Sequence, residues 1–262
     1  MNILVLLKQV PDTTEMQIDK EKGTLIREGV PTITNPDDLA GLEMALRLKE
    51  KTGAKVTCIT MGPPQAKNML RELFAMGADD GILISDRAFA GADTWATSNT
   101  LAAFIKQIPY DLIIAGRQAI DGDTAQVGPQ TAEKLGIPQI TYVDDVIEFS
   151  DKKIVVKKAL ENTYEVLECE LPCVITTLST IAKPRYMRVR GISHAFERDI
   201  RTVGFDDLNI DPSIIGLKGS PTKVKKTFTK EVHQNLDVLH LDGKASARKV
   251  AEILLDMNFI GK

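Results

Sequence analysis

Short apolar runs at 3–7, 55–60, 82–85, 112–115 and 139–142 are separated by stretches with helical periodicity, and this alternation constrains the chain more than any other feature. The helical stretches cover 36–51, 65–76, 94–107 and 124–135. Strand and helix in regular alternation specify a parallel sheet with helices on both faces. The expected class is therefore α/β, with a mostly parallel, doubly wound sheet. The alternation leaves the order of the strands open.

Local chemistry agrees with these boundaries. Asn35 can cap the first helix, with Pro36 at its first position and Asp37 and Asp38 placing negative charge at the positive end of its dipole. Leu39, Leu42 and Leu46 share one face of it, as Ala66, Met69, Leu70, Leu73 and Phe74 do on the next helix, which Gly77 can close. Thr124 can cap the fourth helix, on which Val127, Thr131 and Leu135 share a face before Gly136 and Pro138 stop it.

Beyond 142 the rhythm changes. Two short strands, 143–149 and 153–158, flank the turn Ser150-Asp151-Lys152, and extended segments follow at 164–167 and 173–178; the reading is antiparallel. From Lys183 the chain is charged and turn-rich, broken by Asp211-Pro212, Gly216 and Gly219-Ser220-Pro221, before a last amphipathic helix at 246–257. About fifty residues with so little apolar periodicity cannot form a core alone. The expected division is an α/β domain over 1–205 and an extended C-terminal arm with a terminal helix over 206–262.

Composition excludes several classes of function. No run of eighteen apolar residues is present, and the opening Met1-Asn2-Ile3-Leu4-Val5 lacks the basic flank and cleavage site of a signal peptide, so neither membrane insertion nor export is expected and the location is cytoplasmic. Net charge is −3. Lys223, Lys225, Lys226 and Lys230 form a basic cluster without interleaved aromatics, which does not make a nucleic-acid surface. The three cysteines and three histidines show no metal-ligating spacing.

The segment Gly116-Arg117-Gln118-Ala119-Ile120-Asp121-Gly122-Asp123-Thr124-Ala125-Gln126-Val127-Gly128-Pro129 follows an apolar strand and opens a helix. Glycines let backbone approach a ligand, and a helix start presents unpaired N–H groups to a phosphate. The spacing is neither G-x-G-x-x-G nor a P-loop, so an ordinary strand-to-helix turn is an equal reading of the glycines alone. Lys8-Gln9-Val10 and Met61-Gly62 also follow strand ends, where ligands bind in open α/β sheets. Asp93 or Thr94 can cap the helix that follows them.

The wording of these blocks resembles the beta subunit of electron-transfer flavoproteins. The resemblance lies in Val5-Leu6-Leu7-Lys8-Gln9-Val10-Pro11-Asp12, Asn35-Pro36, Met61-Gly62-Pro63-Pro64-Gln65, Ala75-Met76-Gly77-Ala78-Asp79, the Gly116–Pro129 segment, and Leu171-Pro172-Cys173-Val174-Ile175-Thr176-Thr177 followed by Pro184-Arg185-Tyr186. It covers about residues 1 to 190, and it implies a Rossmann-like, adenine-nucleotide-hydrolase-like fold. It also implies a nucleotide held by Leu6, Lys8, Asn35, Pro36, Asp37, Asp38, Met61, Gly62, Asp93, Thr94, Arg117, Ala119, Ile120, Asp121, Gly122, Asp123, Thr124, Ala125, Gln126, Val127, Gly128, Pro129 and Gln130.

Two types of beta subunit exist in that family. One holds AMP as a structural ligand. The other holds FAD, takes hydride from NADH, and bifurcates the electrons to ferredoxin or flavodoxin and to a partner flavin-dependent dehydrogenase of acyl-CoA, enoyl-CoA or 2-hydroxy acid type. The small Gly122 beside Thr124, the stretch Lys8 to Thr14, and Gly91-Ala92-Asp93-Thr94-Trp95-Ala96-Thr97 resemble the second type. No catalytic side chain is expected, because the chemistry belongs to the cofactor. Arg117 is either a tuner of flavin potential or an anion clamp, and Asp121 and Asp123 either meet ribose or ribityl hydroxyls or bond nearby backbone. The resemblance further implies an alpha subunit wrapped by the arm and a docking loop over 181–189, with Met187 or Val189 as its apolar anchor.

Overall fold

A computed structural model of the chain describes residues 1–12, 17–19, 24–26, 31–223 and 240–260. Thr13 and Thr14, three lysines of the basic cluster (Lys225, Lys226, Lys230) and His233 lie outside the described residues. The strands are β1 (Asn2–Leu6), β2 (Gln9–Pro11), β3 (Gln17–Asp19), β4 (Thr24–Ile26), β5 (Thr32–Thr34), β6 (Lys55–Met61), β7 (Asp80–Ile84), β8 (Leu112–Gly116), β9 (Gln139–Phe149), β10 (Lys153–Ala159), β11 (Tyr164–Glu170), β12 (Cys173–Thr177) and β13 (Arg201–Val203). The helices are α1 (Pro36–Thr52), α2 (Lys67–Met76), α3 (Thr94–Ile105), α4 (Val127–Leu135), α5 (Val189–Ala195), α6 (Gly216–Gly219) and α7 (Gly243–Asp256).

Nine strands form the main sheet in the order β11-β10-β9-β12-β8-β1-β6-β7-β13. Every pairing from β9 to β13 is parallel, and β10 adds antiparallel pairs with β9 and β11 at one edge. Along β1, side chains alternate between two cores: Ile3 and Val5 join Leu42, Leu46, Leu70 and Leu73 from α1 and α2. Leu4 and Leu6 join Leu101, Phe104 and Ala132 from α3 and α4 on the other face. A strand buried on both sides is largely apolar on both faces, which is why these segments read as near-continuous apolar runs.

The expected α/β class with a mostly parallel sheet is what the chain adopts. Three local readings are corrected. The segment 173–178 is not part of the antiparallel extension: β12 lies parallel between β8 and β9, and its five residues are all buried. The runs 139–142 and 143–149 are one strand, β9, which bends at Tyr142 in the left-handed region (φ 59°). Helix α4 begins at Val127 rather than Thr124, because Asp123 (φ 48°) and Ala125 (φ 55°) are left-handed and cannot belong to a right-handed helix.

The chain divides into two compact units, Met1–Thr227 and Phe228–Lys262. Within the first, Leu208 and Ile215 are buried in the α3/α4 core although they follow residue 205. Helix α7 of the second unit is capped by Asp242, whose Oδ1 accepts the N–H groups of Lys244 and Ala245, each at 2.9 Å.

Candidate functional site

The winding of the sheet reverses between β1 and β8. From β1 the chain steps outward to β6 and β7, then returns to pair β8 on the other side of β1. Strand ends part at such a point and leave a crevice at their carboxyl edge. Asp38, in the first turn of α1, closes its base: Oδ2 accepts the Lys8 N–H at 2.8 Å and Oδ1 the Gly116 N–H at 2.9 Å. Burial raises the Asp38 carboxyl to about pH 7, against the opposing effect of these donors. Gly116 is required here, since a side chain would run into Asp38 Oδ1 and stand 2.7 Å from the Asp38 backbone nitrogen.

Asp37 and Arg117 face each other beside this bridge. Arg117 Nε is 3.4 Å from Asp37 Oδ2, but the two atoms are not aligned for a hydrogen bond, and each is buried without a partner. The other Asp37 oxygen accepts the Ser179 N–H at 3.0 Å, and the Arg117 N–H donates to the Thr177 carbonyl at 2.8 Å. The Arg117 guanidinium also lies 6.0 Å from the centre of the Tyr142 ring. The guanidinium is thus paired with a carboxylate by charge though not by an aligned hydrogen bond, and a third of its side chain remains exposed.

The loop from Gln118 to Gln126 is built by contacts that bypass helix capping. Asn35 does not cap α1. Its fully buried amide donates to the Gln118 carbonyl at 2.8 Å and accepts the Ile120 N–H at 3.1 Å, fixing the loop over the helix start. Lys8 Nζ reaches Asp121, 2.7 and 2.8 Å from its two carboxylate oxygens. Gln118 donates to Asp123 at 2.9 Å, and the Ala119 carbonyl accepts the N–H groups of Gly122 and Asp123. The run Asp121 to Thr124 is exposed, and a side chain at Gly122 would meet only Thr124 Oγ1, at 3.8 Å.

Helix α4 starts beside this loop with no side-chain cap. Asp93 caps α3 through Oδ1, which accepts the Ala96 N–H at 3.0 Å, so that part of the expectation holds. Thr94 donates to Gln126 at 2.7 Å, and Ser98 Oγ lies 3.1 Å from Gln130, joining the starts of α3 and α4.

Elsewhere among the expected residues, Leu6 is a core side chain and Pro36 is exposed. Met61 and Gly62 sit at the end of β6, where the Gly62 N–H bonds the Ile84 carbonyl. Gly128 packs against Thr176, with Pro129 next to it. Met187 lies two residues before α5 and Val189 is its first residue, and they are 45% and 87% exposed.

Thr177, Ser179 and Tyr142 belong to the same neighbourhood and were not singled out from the sequence. The end of the apolar run 173–177 could have pointed to Thr177, whereas nothing in the sequence marks Tyr142. Among the described residues no three His, Cys, Asp or Glu side chains cluster as a metal site, and no helix is long and apolar enough to cross a membrane. The arrangement as a whole offers an anion an uncapped helix start, a lysine, an incompletely paired arginine and open space at a glycine.

Comparison with known proteins gives this crevice a context. The family model described as the electron transfer flavoprotein domain matches residues 22–208. The chain is 55% identical over 260 residues to the electron transfer flavoprotein subunit beta of Clostridium acetobutylicum, covering 99% of this chain and 100% of that protein. It is 55% identical over 231 residues to the caffeyl-CoA reductase-Etf complex subunit CarD of Acetobacterium woodii, covering 87% of this chain and 88% of that one. It is 49% identical over 237 residues to the acryloyl-CoA reductase electron transfer subunit gamma of Anaerotignum propionicum, covering 87% and 88%.

Proposed function

The chain belongs to the electron transfer flavoprotein family, among its beta subunits, and from this premise we propose that it binds FAD in the β1/β8 crevice, oxidises NADH there, and sends the two electrons along separate one-electron routes. One route leads to ferredoxin or flavodoxin, the other through an alpha subunit to a flavin-dependent dehydrogenase. The observation that carries this reading is the identity to proteins named as electron-transfer subunits of caffeyl-CoA and acryloyl-CoA reductases, which points to an unsaturated acyl-CoA as the partner's substrate.

The residues present fit such a group. FAD, when bound, supplies hydride acceptance and one-electron release. The N–H groups at the start of α4 and the exposed loop around Gly122 would hold its pyrophosphate, and Lys8 and Arg117 would balance the charge. Asp121 and Asp123 would face its hydroxyls. Arg117 is balanced only in part by Asp37, 3.4 Å away, and its partly exposed side chain would add positive charge beside an anionic neighbour.

The test is to purify the chain with its alpha subunit without oxygen, release the nucleotides and count them. Two FAD and no AMP per heterodimer is the expected result. One FAD with one AMP would overturn it and make the chain a scaffold in ordinary electron transfer.

A further inference from the structure

Asp93 does more than cap α3. Its backbone N–H donates to Ser220 Oγ at 2.8 Å, and its Oδ2 accepts both the N–H (2.9 Å) and the hydroxyl (2.7 Å) of Thr222. With Oδ1 taken by Ala96, both carboxylate oxygens are committed within the protein. Burial works to raise this carboxyl, but the donors from Ala96 and Thr222 hold it below the usual carboxylate range. An acceptor already filled in this way is poorly placed to meet a ligand itself.

The contact with 220–222 is built rather than incidental. Ser220 is 5% exposed and donates to the Gly216 carbonyl at 2.7 Å. Gly216 is left-handed (φ 57°), and a side chain there would collide with the Ala88 carbonyl. The Leu217 N–H bonds the Ala90 carbonyl at 3.0 Å, and Asn99 on α3 donates to the Ile214 carbonyl at 2.9 Å. A segment more than a hundred residues away in sequence thus fixes the loop and first turns that carry Asp93 and Thr94.

We infer that Ser220 and Thr222 are positioning residues of the nucleotide site, acting through Asp93 on the Thr94–Gln126 bridge that aligns the starts of α3 and α4. The inference rests on the nucleotide reading given above. When Asp93 loses these partners, the first turn of α3 loosens and Thr94 no longer fixes Gln126 at the start of α4. The N–H groups of α4 then present a less fixed surface to a phosphate, and affinity falls without loss of any group that touches the ligand.

The experiment uses the full chain and measures dissociation constants for ADP and FAD by calorimetry in the wild type, Thr222→Val, Thr222→Ser and the double variant Ser220→Ala/Thr222→Val. The wild-type constants are expected to rise about five- to tenfold in the double variant, in line with the loss of one or two hydrogen bonds. They should rise less in Thr222→Val and not at all in Thr222→Ser, which keeps the hydroxyl. Because Thr222 is exposed, Thr222→Val also serves if the double variant does not fold. Wild-type affinity in a folded Thr222→Val or double variant overturns the inference. A wild-type chain that binds neither nucleotide removes the site itself, and this role with it.

Discussion

Gly116 and Asp38 occupy space that only a glycine can share. The Gly116 N–H donates to Asp38 Oδ1 at 2.9 Å, and the two backbones are close enough that a side chain on Gly116 would also stand 2.9 Å from the Asp37 Cβ. Gly116→Ala forces apart β8 and the first turn of α1, and overpacking of this kind costs about 1–3 kcal/mol. Thermal melting should show a clear fall in Tm, and an unchanged Tm would mean that the helix start yields freely.

Asp38 itself should report on pH. In the folded chain its carboxyl is raised by burial to about 7 from 3.8, so the native state keeps a proton that the unfolded state has already released. Its favourable contribution is complete below about pH 4 and is lost as pH rises through about 7. Relative to Asp38→Asn, the wild type should therefore lose unfolding free energy between pH 5 and pH 8 in urea titrations. A difference that stays constant over that range would show that the carboxyl does not titrate there.

Gly122→Trp should leave the fold intact, since nothing but Thr124 Oγ1 lies near the added side chain, at 3.8 Å. It should abolish nucleotide binding by filling the space beside the start of α4. Circular dichroism and the nucleotide content of the heterodimer check the two halves, and normal content in a folded variant removes the proposed seat.

Arg185 holds the segment before α5 through the buried Glu43. Its Nε donates to Oε2 at 2.7 Å, its second terminal nitrogen to Oε1 at 3.1 Å, and its remaining one to Glu50 at 2.6 Å. Burial pushes the Glu43 carboxyl up, yet Arg185 and Arg47 together hold it below its usual range. Arg185→Met leaves Glu43 with Arg47 alone, and stability should fall by about 3 kcal/mol at neutral pH. Because a depressed carboxyl contributes above its unfolded pKa, the penalty should shrink as the solution is acidified through the carboxylate range. Denaturant titrations at neutral and acid pH distinguish this from a surface pair, which would cost little at either.

What the sequence conveys depends on how local the cause is. The parallel core was legible because strands covered on both faces carry near-continuous apolar runs, as β1 and β8 do and as β6 does with only Thr57 and Thr60 interrupting it after Lys55. The start of α1 was placed correctly by Pro36 and the acidic pair behind it, yet Asn35 was assigned to the wrong partner. Its amide serves a loop more than eighty residues away, which no local pattern encodes. The position of β12 was misread for the same reason: its neighbours in sequence are antiparallel strands, whereas its partners in space include β8. The start of α4 failed on backbone geometry, since Asp123 is only a weak sign of a left-handed turn and Ala125 carries none. Within the crevice, Asn35 and Lys8, which hold the glycine segment in place, were named from the sequence as ligand residues, whereas their bonds to Gln118, Ile120 and Asp121 were not legible there.

The Asp38 bridge bears on how the chain matures. Its carboxylate joins backbone 30 residues before it to backbone 78 residues after it, and Thr177, whose hydroxyl donates to the Asp37 carbonyl at 3.2 Å, lies 140 residues after Asp37. A nascent chain synthesised only as far as α3 has no crevice at all, and one lacking β12 has no wall behind Arg117. Such non-local contacts form late in folding. If the crevice holds the proposed nucleotide, that ligand meets only a chain whose crevice is already assembled, and its binding would add to the stability of the whole unit. On that reading, in a cell short of the nucleotide the vulnerable species would be completed but unliganded chains, and their lifetime against proteolysis should lengthen in proportion to ligand concentration above the dissociation constant.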